Sequence, residues 1–206
     1  MLVSYFTTKF DDEVVRLLKS GGVGFMPSDT IYGLSCRALD KKAVERIHAL
    51  KRRDSGKPCI VLISKINQLK DLNIDSAQAG VMEEYWPGKI SLEFNAPDAP
   101  TWLHLGLGRF AVRMPDDKEL LRLIDGVGPI ISTSANIQGD KPAISIEEAK
   151  EYFGDQLDFY IDSGKIHSEP STIVIFKDGK LKVDRPGAVK IKNEKSDVRV
   201  YKKSNI

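Results

Sequence analysis

Short apolar runs alternate along this chain with longer amphipathic stretches, most of them opened by an aspartate. That alternation restricts the fold more than any other feature. Asp11 stands before Val14, Val15, Leu17 and Leu18, and the stretch closes at Gly21-Gly22, which predicts a capped helix and a glycine stop. Asp40 precedes Ala43, Val44, Ile47 and Leu50 on one helical face, and Lys51-Arg52-Arg53 follow at its C-terminal end. Asp116 or Asp117 opens a helix through Ile124. Ser145 opens another over 146–153, with Glu148 placed for a capping box. A further helix is expected around 77–85. Between them, 23–26, 59–63, 89–94, 109–114, 129–132, 159–162 and 172–176 read as strands, and a return strand runs through Val183 after a hairpin turn at 177–180. Cys59 to Ile63 is apolar throughout, as a strand covered on both faces should be. Helices and hairpins mixed in this way predict a single α/β domain with a mixed sheet.

Composition removes several classes of function. A chain of 206 residues, 41% of them hydrophobic, can bury one sizeable core. No apolar run reaches the roughly 18 residues a membrane-spanning helix needs, and Met1 to Val15 lacks the pattern of a secretory leader. Cys36 and Cys59 form no metal spacing or disulfide framework and are expected to be buried hydrophobes in a reducing cytoplasm. The net charge of +2 is nearly silent about partners. Basic residues cluster from Lys190 to Lys203, read as a solvated terminal tail. The expected division is therefore a domain over 1–190 and a basic tail over 191–206.

Ligands of open α/β sheets lie beyond the carboxyl ends of strands. Three polar clusters fall at such ends: Ser28-Asp29-Thr30, Thr133-Ser134-Ala135-Asn136 and Arg185-Pro186-Gly187. Singly, each is an ordinary turn sequence. Cations accompany them, however, at Lys51, Arg53, Arg113 and Arg185. Arg113 lies inside a strand, where a charge is costly unless something meets it. Lys51 and Arg53 have a plainer reading as favourable charges at a helix C-terminus. His48, His104 and His167 stand in unrelated settings, and there is no nucleophile elbow, P-loop or dinucleotide fingerprint. The residues alone give an anion-binding α/β domain, with no metal site built from protein side chains.

The run from Gly21 to Leu34, with Pro27-Ser28-Asp29-Thr30-Ile31-Tyr32-Gly33-Leu34 at its centre, resembles the opening motif of the YrdC-domain family of threonylcarbamoyl-adenylate synthases. Further motifs of that family follow in order: K-x-R at Lys51-Arg52-Arg53, then Lys57-Pro58, W-P-G at 86–88 and V-R-x-P at 112–115. S-x-N follows at 134–136, P-S-T at 170–172 and R-x-G-A at 185–188. The resemblance covers roughly residues 10 to 190. It implies a YrdC-like twisted mixed β-sheet flanked by helices, with a basic concave ligand groove.

By the same resemblance, the chain would form threonylcarbamoyl-AMP and pyrophosphate from ATP, bicarbonate and L-threonine, with Mg²⁺ accompanying ATP, for tRNA modification in the cytoplasm. Lys51 and Arg53 would be catalytic and hold the phosphates, with Asn136, Ser145 and Arg185 completing the ATP site. Thr30, Arg113, Ser134 and Ser171 would hold threonine. The family also implies tRNA or double-stranded RNA as a partner, and a tRNA threonylcarbamoyl-transferase machinery that receives the product. Two other readings of the same fold are a non-catalytic RNA-binding module and a relative that carbamoylates another substrate. Some positions depart from the family pattern: Ser28 for Thr, Asp54 for Pro, Lys89 and Ser91 for Pro and Thr, and Leu62 where many members carry His. Most of these departures fall on the threonine side.

Overall fold

Asp11, Asp40 and Asp117 each adopt extended backbone and accept a hydrogen bond from the N–H three residues on, of Val14, Ala43 and Leu120. These caps satisfy donors that the first helical turn leaves unpaired. They start helices α1 (Asp12–Lys19), α2 (Lys41–Leu50) and α4 (Lys118–Val127). Between the last two lies the short α3 (Thr101–His104), which the sequence reading did not anticipate. Helix α5 (Ile146–Phe153) begins after Ser145 as expected, but its cap differs from the anticipated box. The Ser145 side chain caps no backbone group, and Glu148 accepts from the Ile144 N–H at 3.0 Å. The computed structural model describes residues 4–52, 56–177 and 180–191.

Among the described residues ten strands form one mixed sheet. They are β1 (Tyr5–Thr7), β2 (Gly24–Met26), β3 (Gly33–Arg37), β4 (Ile60–Leu62), β5 (Ile90–Asn95), β6 (Arg109–Arg113), β7 (Ile130–Ser134), β8 (Phe159–Ile161), β9 (Thr172–Lys177) and β10 (Lys180–Arg185). Their order across the sheet is β1-β8-β2-β3-β7-β4-β6-β5-β9-β10. Strands β1 and β3 were not expected. β3 pairs antiparallel with both β2 and β7, and its successive residues Gly33 to Cys36 are all buried, so the sequence shows little alternation. The helix expected around 77–85 is instead a 3₁₀ turn over Ser76–Met82, preceded by another over Ile66–Leu72. Gly80 weakens an α-helix there. The 178–179 turn and the tail beyond 191 lie outside the described residues.

The two faces of the sheet are covered differently. On one face Phe25, Ile131, Tyr160, Val61, Val112, Leu92 and Val174 join one core with residues of α2, α3 and α5. On the other, Met26, Ile130, Phe159, Ile161 and Leu62 pack with Val14 and Leu18 of α1 and Leu120, Leu123, Ile124 and Val127 of α4. That helical cover lies over β8, β2, β7 and β4. Farther across the sheet the residues of β6, β5 and β9 on the same side line an open cavity instead.

Candidate active site

The cavity measures about 940 Å³ and its floor is the pleat of the sheet. Leu62 pairs with Arg113, Ser91 with Ile173, and Ile173 with Arg185, so these side chains form a transverse band across β4, β6, β5, β9 and β10. Loops supply the walls: Ser28 and Thr30 from β2–β3, Thr133 and Ser134 from the end of β7, and Pro170-Ser171 before β9. The Trp86-Pro87-Gly88 segment anchors one side from outside. Its indole N–H donates to Ile90 O at 2.7 Å and Gly88 N–H to Met114 O at 2.8 Å, tying β5 to the end of β6. Gly187 is required by close approach, because a Cβ there would lie 2.3 Å from Pro170 O and 2.7 Å from Ser171 C.

Arg113 and Arg185 dominate the electrostatics. Arg113 is buried, and its Nη1 donates to Oδ1 of Asp29, whose side chain is sealed although the residue as a whole is half-buried. Arg185 donates through Nη2 to Ser171 O at 2.7 Å. Burial, and then the like charge of Arg113, push the Arg185 guanidinium below its ordinary pKa. The Nε of each arginine is buried without a hydrogen-bond partner. Two forked donors, each with a buried spare N–H beside a cavity, make a receptor for carboxylate or phosphate oxygens. Hydroxyls border it. Thr30 Oγ1 lies 2.9 Å from Ser28 Oγ, and Ser171 Oγ lies 2.9 Å from Ser91 Oγ.

Of the residues singled out in the sequence, Thr30, Arg113, Ser134, Ser171 and Arg185 line the cavity. Lys51 and Asn136 are buried behind it. Lys51 Nζ donates to Ser134 O, to Asn136 O at 3.0 Å and to Asn136 Oδ1 at 3.2 Å. Asn136 Nδ2 donates in turn to Ile137 O and Asp140 O, at 2.8 and 2.9 Å. The pair therefore shapes the loop that carries Ser134. Ser145 is buried next to the lining residue Ile144, and its hydroxyl helps hold the Glu147 carboxyl below its ordinary pKa. Arg53 lies outside the described residues.

Sequence reasoning gave no role to Asp29, nor to the cavity-lining Lys57, Glu93, Arg109 and Asp184. Asp29 stood inside a cluster already noted, but its partner is 84 residues away, and nothing local announces it. Cys36 and Cys59 are buried and joined in no disulfide, and Arg109 pairs with Glu93 at 3.3 Å. Among the described residues no three His, Cys, Asp or Glu side chains converge as a metal site, and no helix is long and apolar enough to cross a membrane.

The model of the Sua5/YciO/YrdC domain, described as "Telomere recombination", matches residues 16–187. The chain belongs to the Sua5/YciO/YrdC family. Threonylcarbamoyl-AMP synthase of Pseudoalteromonas translucida is 32% identical over 174 residues, covering 81% of this chain and 93% of that protein. The crystal structure of P. abyssi Sua5 complexed with L-threonine is similar at a TM-score of 0.78 and 29% identity, over 90% of this chain. This chain spans only 57% of that longer Sua5. E. coli YciO matches at a TM-score of 0.77 over 98% of this chain and all of its own, and at 23% identity that likeness concerns the fold. The YrdC-like mixed sheet expected from the motifs is thus the fold observed, and the Sua5/YciO/YrdC motifs that meet at the cavity are those at strand ends.

Proposed function

We propose that this chain is an L-threonylcarbamoyladenylate synthase, a nucleotidyltransferase that joins ATP, bicarbonate and L-threonine into threonylcarbamoyl-AMP with release of pyrophosphate. The observation that carries the reading is a pair of arginines, Arg113 buried and Arg185 half-buried, each with a buried and unpartnered Nε, beside a cavity bordered by Thr30, Ser134 and Ser171. All three substrates bring negative oxygens, and bringing them together needs fixed positive charge in a place shielded from water.

In this reading the threonine carboxylate lies against Arg113, with the hydroxyls of Thr30, Ser134 and Ser171 around the amino acid. The amine attacks bicarbonate, forming the N–C bond of a carbamate with loss of water. A carbamate oxygen then attacks the α-phosphorus of ATP as the bond to the pyrophosphate oxygen breaks. Such transfers ask a protein for positioning and charge stabilisation, which arginines, hydroxyls and backbone supply. Arg185, Arg53, Lys51, Asn136 and Ser145 are assigned to the nucleotide side. Lys51 acts there as a fixed charge that holds the Ser134–Asn136 loop. Mg²⁺ is proposed to enter with ATP on the phosphate oxygens and to offset their charge. The product is a mixed anhydride prone to hydrolysis, so we assign its use to a tRNA-modifying transferase in the same cytoplasm.

Pyrophosphate release and mass spectrometry of the nucleotide product test this reading. Pyrophosphate and the AMP conjugate should form only when ATP, Mg²⁺, threonine and bicarbonate are all present. Arg53→Ala should lower kcat/KM by about 2–4 kcal/mol in transition-state terms. Arg113→Lys keeps the charge but loses the fork, so threonine use should suffer far more than ATP use. Pyrophosphate released equally without threonine, or parent-like turnover by both variants, would sink the assignment.

A further inference from the structure

Among the described residues Asp29 is the one carboxylate paired with the arginine assigned to the amino-acid carboxylate, and the burial of its side chain asks for an explanation. Its Oδ1 accepts from Arg113 Nη1, and its Oδ2 accepts from the Asp116 N–H at 3.0 Å. Both charged side chains are nearly sealed, Arg113 at 3% and Asp29 at 2% exposure. A buried ion pair contributes little net stability, because desolvation offsets the attraction. A purely structural device at this place could as well be apolar.

The geometry gives the pair a different use. Asp29 sits between Ser28 and Thr30 on a loop held tight by local bonds. Ser28 Oγ donates to Ile31 O at 2.8 Å, and the Thr30 N–H donates to Ser28 Oγ at 3.2 Å. Asp29 is therefore a rigid arm joining the β2–β3 loop, which carries Thr30, to the end of β6, which carries Arg113, and to the turn at Asp116. It occupies Nη1 of Arg113, while Nε has no partner. It also offsets part of the Arg113 charge, leaving the unpartnered Nε to meet a carboxylate.

We infer that Asp29 is a positioning residue for amino-acid recognition, fixing the Arg113 fork and the Thr30 hydroxyl as one unit. The inference rests on the reading that the amino acid lies against Arg113. Asn is nearly isosteric with Asp but carries an acceptor on one side only. In Asp29→Asn, either the Asp116 N–H or Arg113 Nη1 must face an amide donor, so the arm cannot hold both ends.

Titration calorimetry of the purified full chain with L-threonine, and separately with ATP and Mg²⁺, tests the inference. Asp29→Asn should weaken threonine binding at least tenfold and ATP binding less than threefold. A structural role alone would lower both, in step with thermal stability. Because the residue acts through Arg113, adding Asp29→Asn to Arg113→Lys should weaken threonine by less than a further twofold. If Asp29→Asn does not fold, Asp29→Glu, which keeps the charge but lengthens the arm, should show the same selective loss to a smaller degree. Threonine affinity unchanged in the folded variants, or effects that add fully in the double variant, would overturn the inference. A parent that binds threonine with this pattern but forms no adenylate would remove the proposed reaction and leave the positioning role standing. A parent that binds no threonine would remove both.

Discussion

Lys51→Met separates two jobs that one residue could hold, a ligand for phosphate and a brace for the ligand-free protein. Lys51 is 4% exposed, and its ammonium donates to Ser134 O, Asn136 O and Asn136 Oδ1. Met retains most of the stem and removes all three bonds. Ser134 O keeps the Asn136 N–H at 3.1 Å, and Asn136 Oδ1 keeps the Ser134 hydroxyl at 2.7 Å. Among the described bonds the Asn136 carbonyl alone loses its donor. One buried acceptor left unsatisfied costs roughly 1–3 kcal/mol, and relief from desolvating an ammonium offsets part of the two weakened contacts. A net loss of about 2 kcal/mol should lower Tm by roughly 4–8 °C for a chain of this size. The assay is thermal unfolding by far-ultraviolet circular dichroism in buffer free of nucleotide, threonine and Mg²⁺. Addition of ATP and Mg²⁺ should then raise Tm in the parent by mass action and hardly at all in the variant. A ligand-free Tm within about 1 °C of the parent would refute the bracing role, whatever happens to activity.

Gly187→Ala forces a Cβ into the Pro170 carbonyl and Ser171 backbone, both main chain and unable to rotate away. Overpacking of this kind costs roughly 1–3 kcal/mol, and displacement of Ser171 should weaken threonine binding measured by calorimetry; unchanged Tm and affinity would contradict the contact. Tyr160 is raised to about 12 by burial and then by Asp155. A raised folded pKa means that this stabilisation is complete below the unfolded value and is lost as pH rises through about 12. Urea unfolding should therefore show stability falling from about pH 10 upward, less steeply in Tyr160→Phe, which lacks the titrating group.

Helix caps were the most legible elements, because Asp11, Asp40 and Asp117 each act on an N–H only three residues away. Strand β3 was not, since Gly33 to Arg37 is defined by partners on both sides and carries no period of its own. Eight of the nine site residues taken from the motifs are buried or line the cavity, Arg185 being half-buried there; the ninth, Arg53, lies outside the described residues. What the motifs could not convey was who answers whom. Arg113 was legible as a charge needing a partner. That Asp29 provides one from another loop, leaving Nε over, depends on three-dimensional register.

The position of Arg185 on the last strand has a mechanical consequence. Among the described residues strand β10 pairs only with β9, whereas Arg113 lies on β6, with β5 and β9 between them. By ordinary strand spacing the two strands run roughly 14 Å apart. In the proposed reading, a product held by Arg113 at its amino-acid end and by Arg185 at its nucleotide end is thus a rivet through the sheet's margin, tying its outermost strand to its interior. Such coupling works in both directions with equal free energy. Whatever loosens the β9–β10 hairpin weakens the substrate by the same amount, and release of product leaves the margin of the sheet as slack as it was before binding.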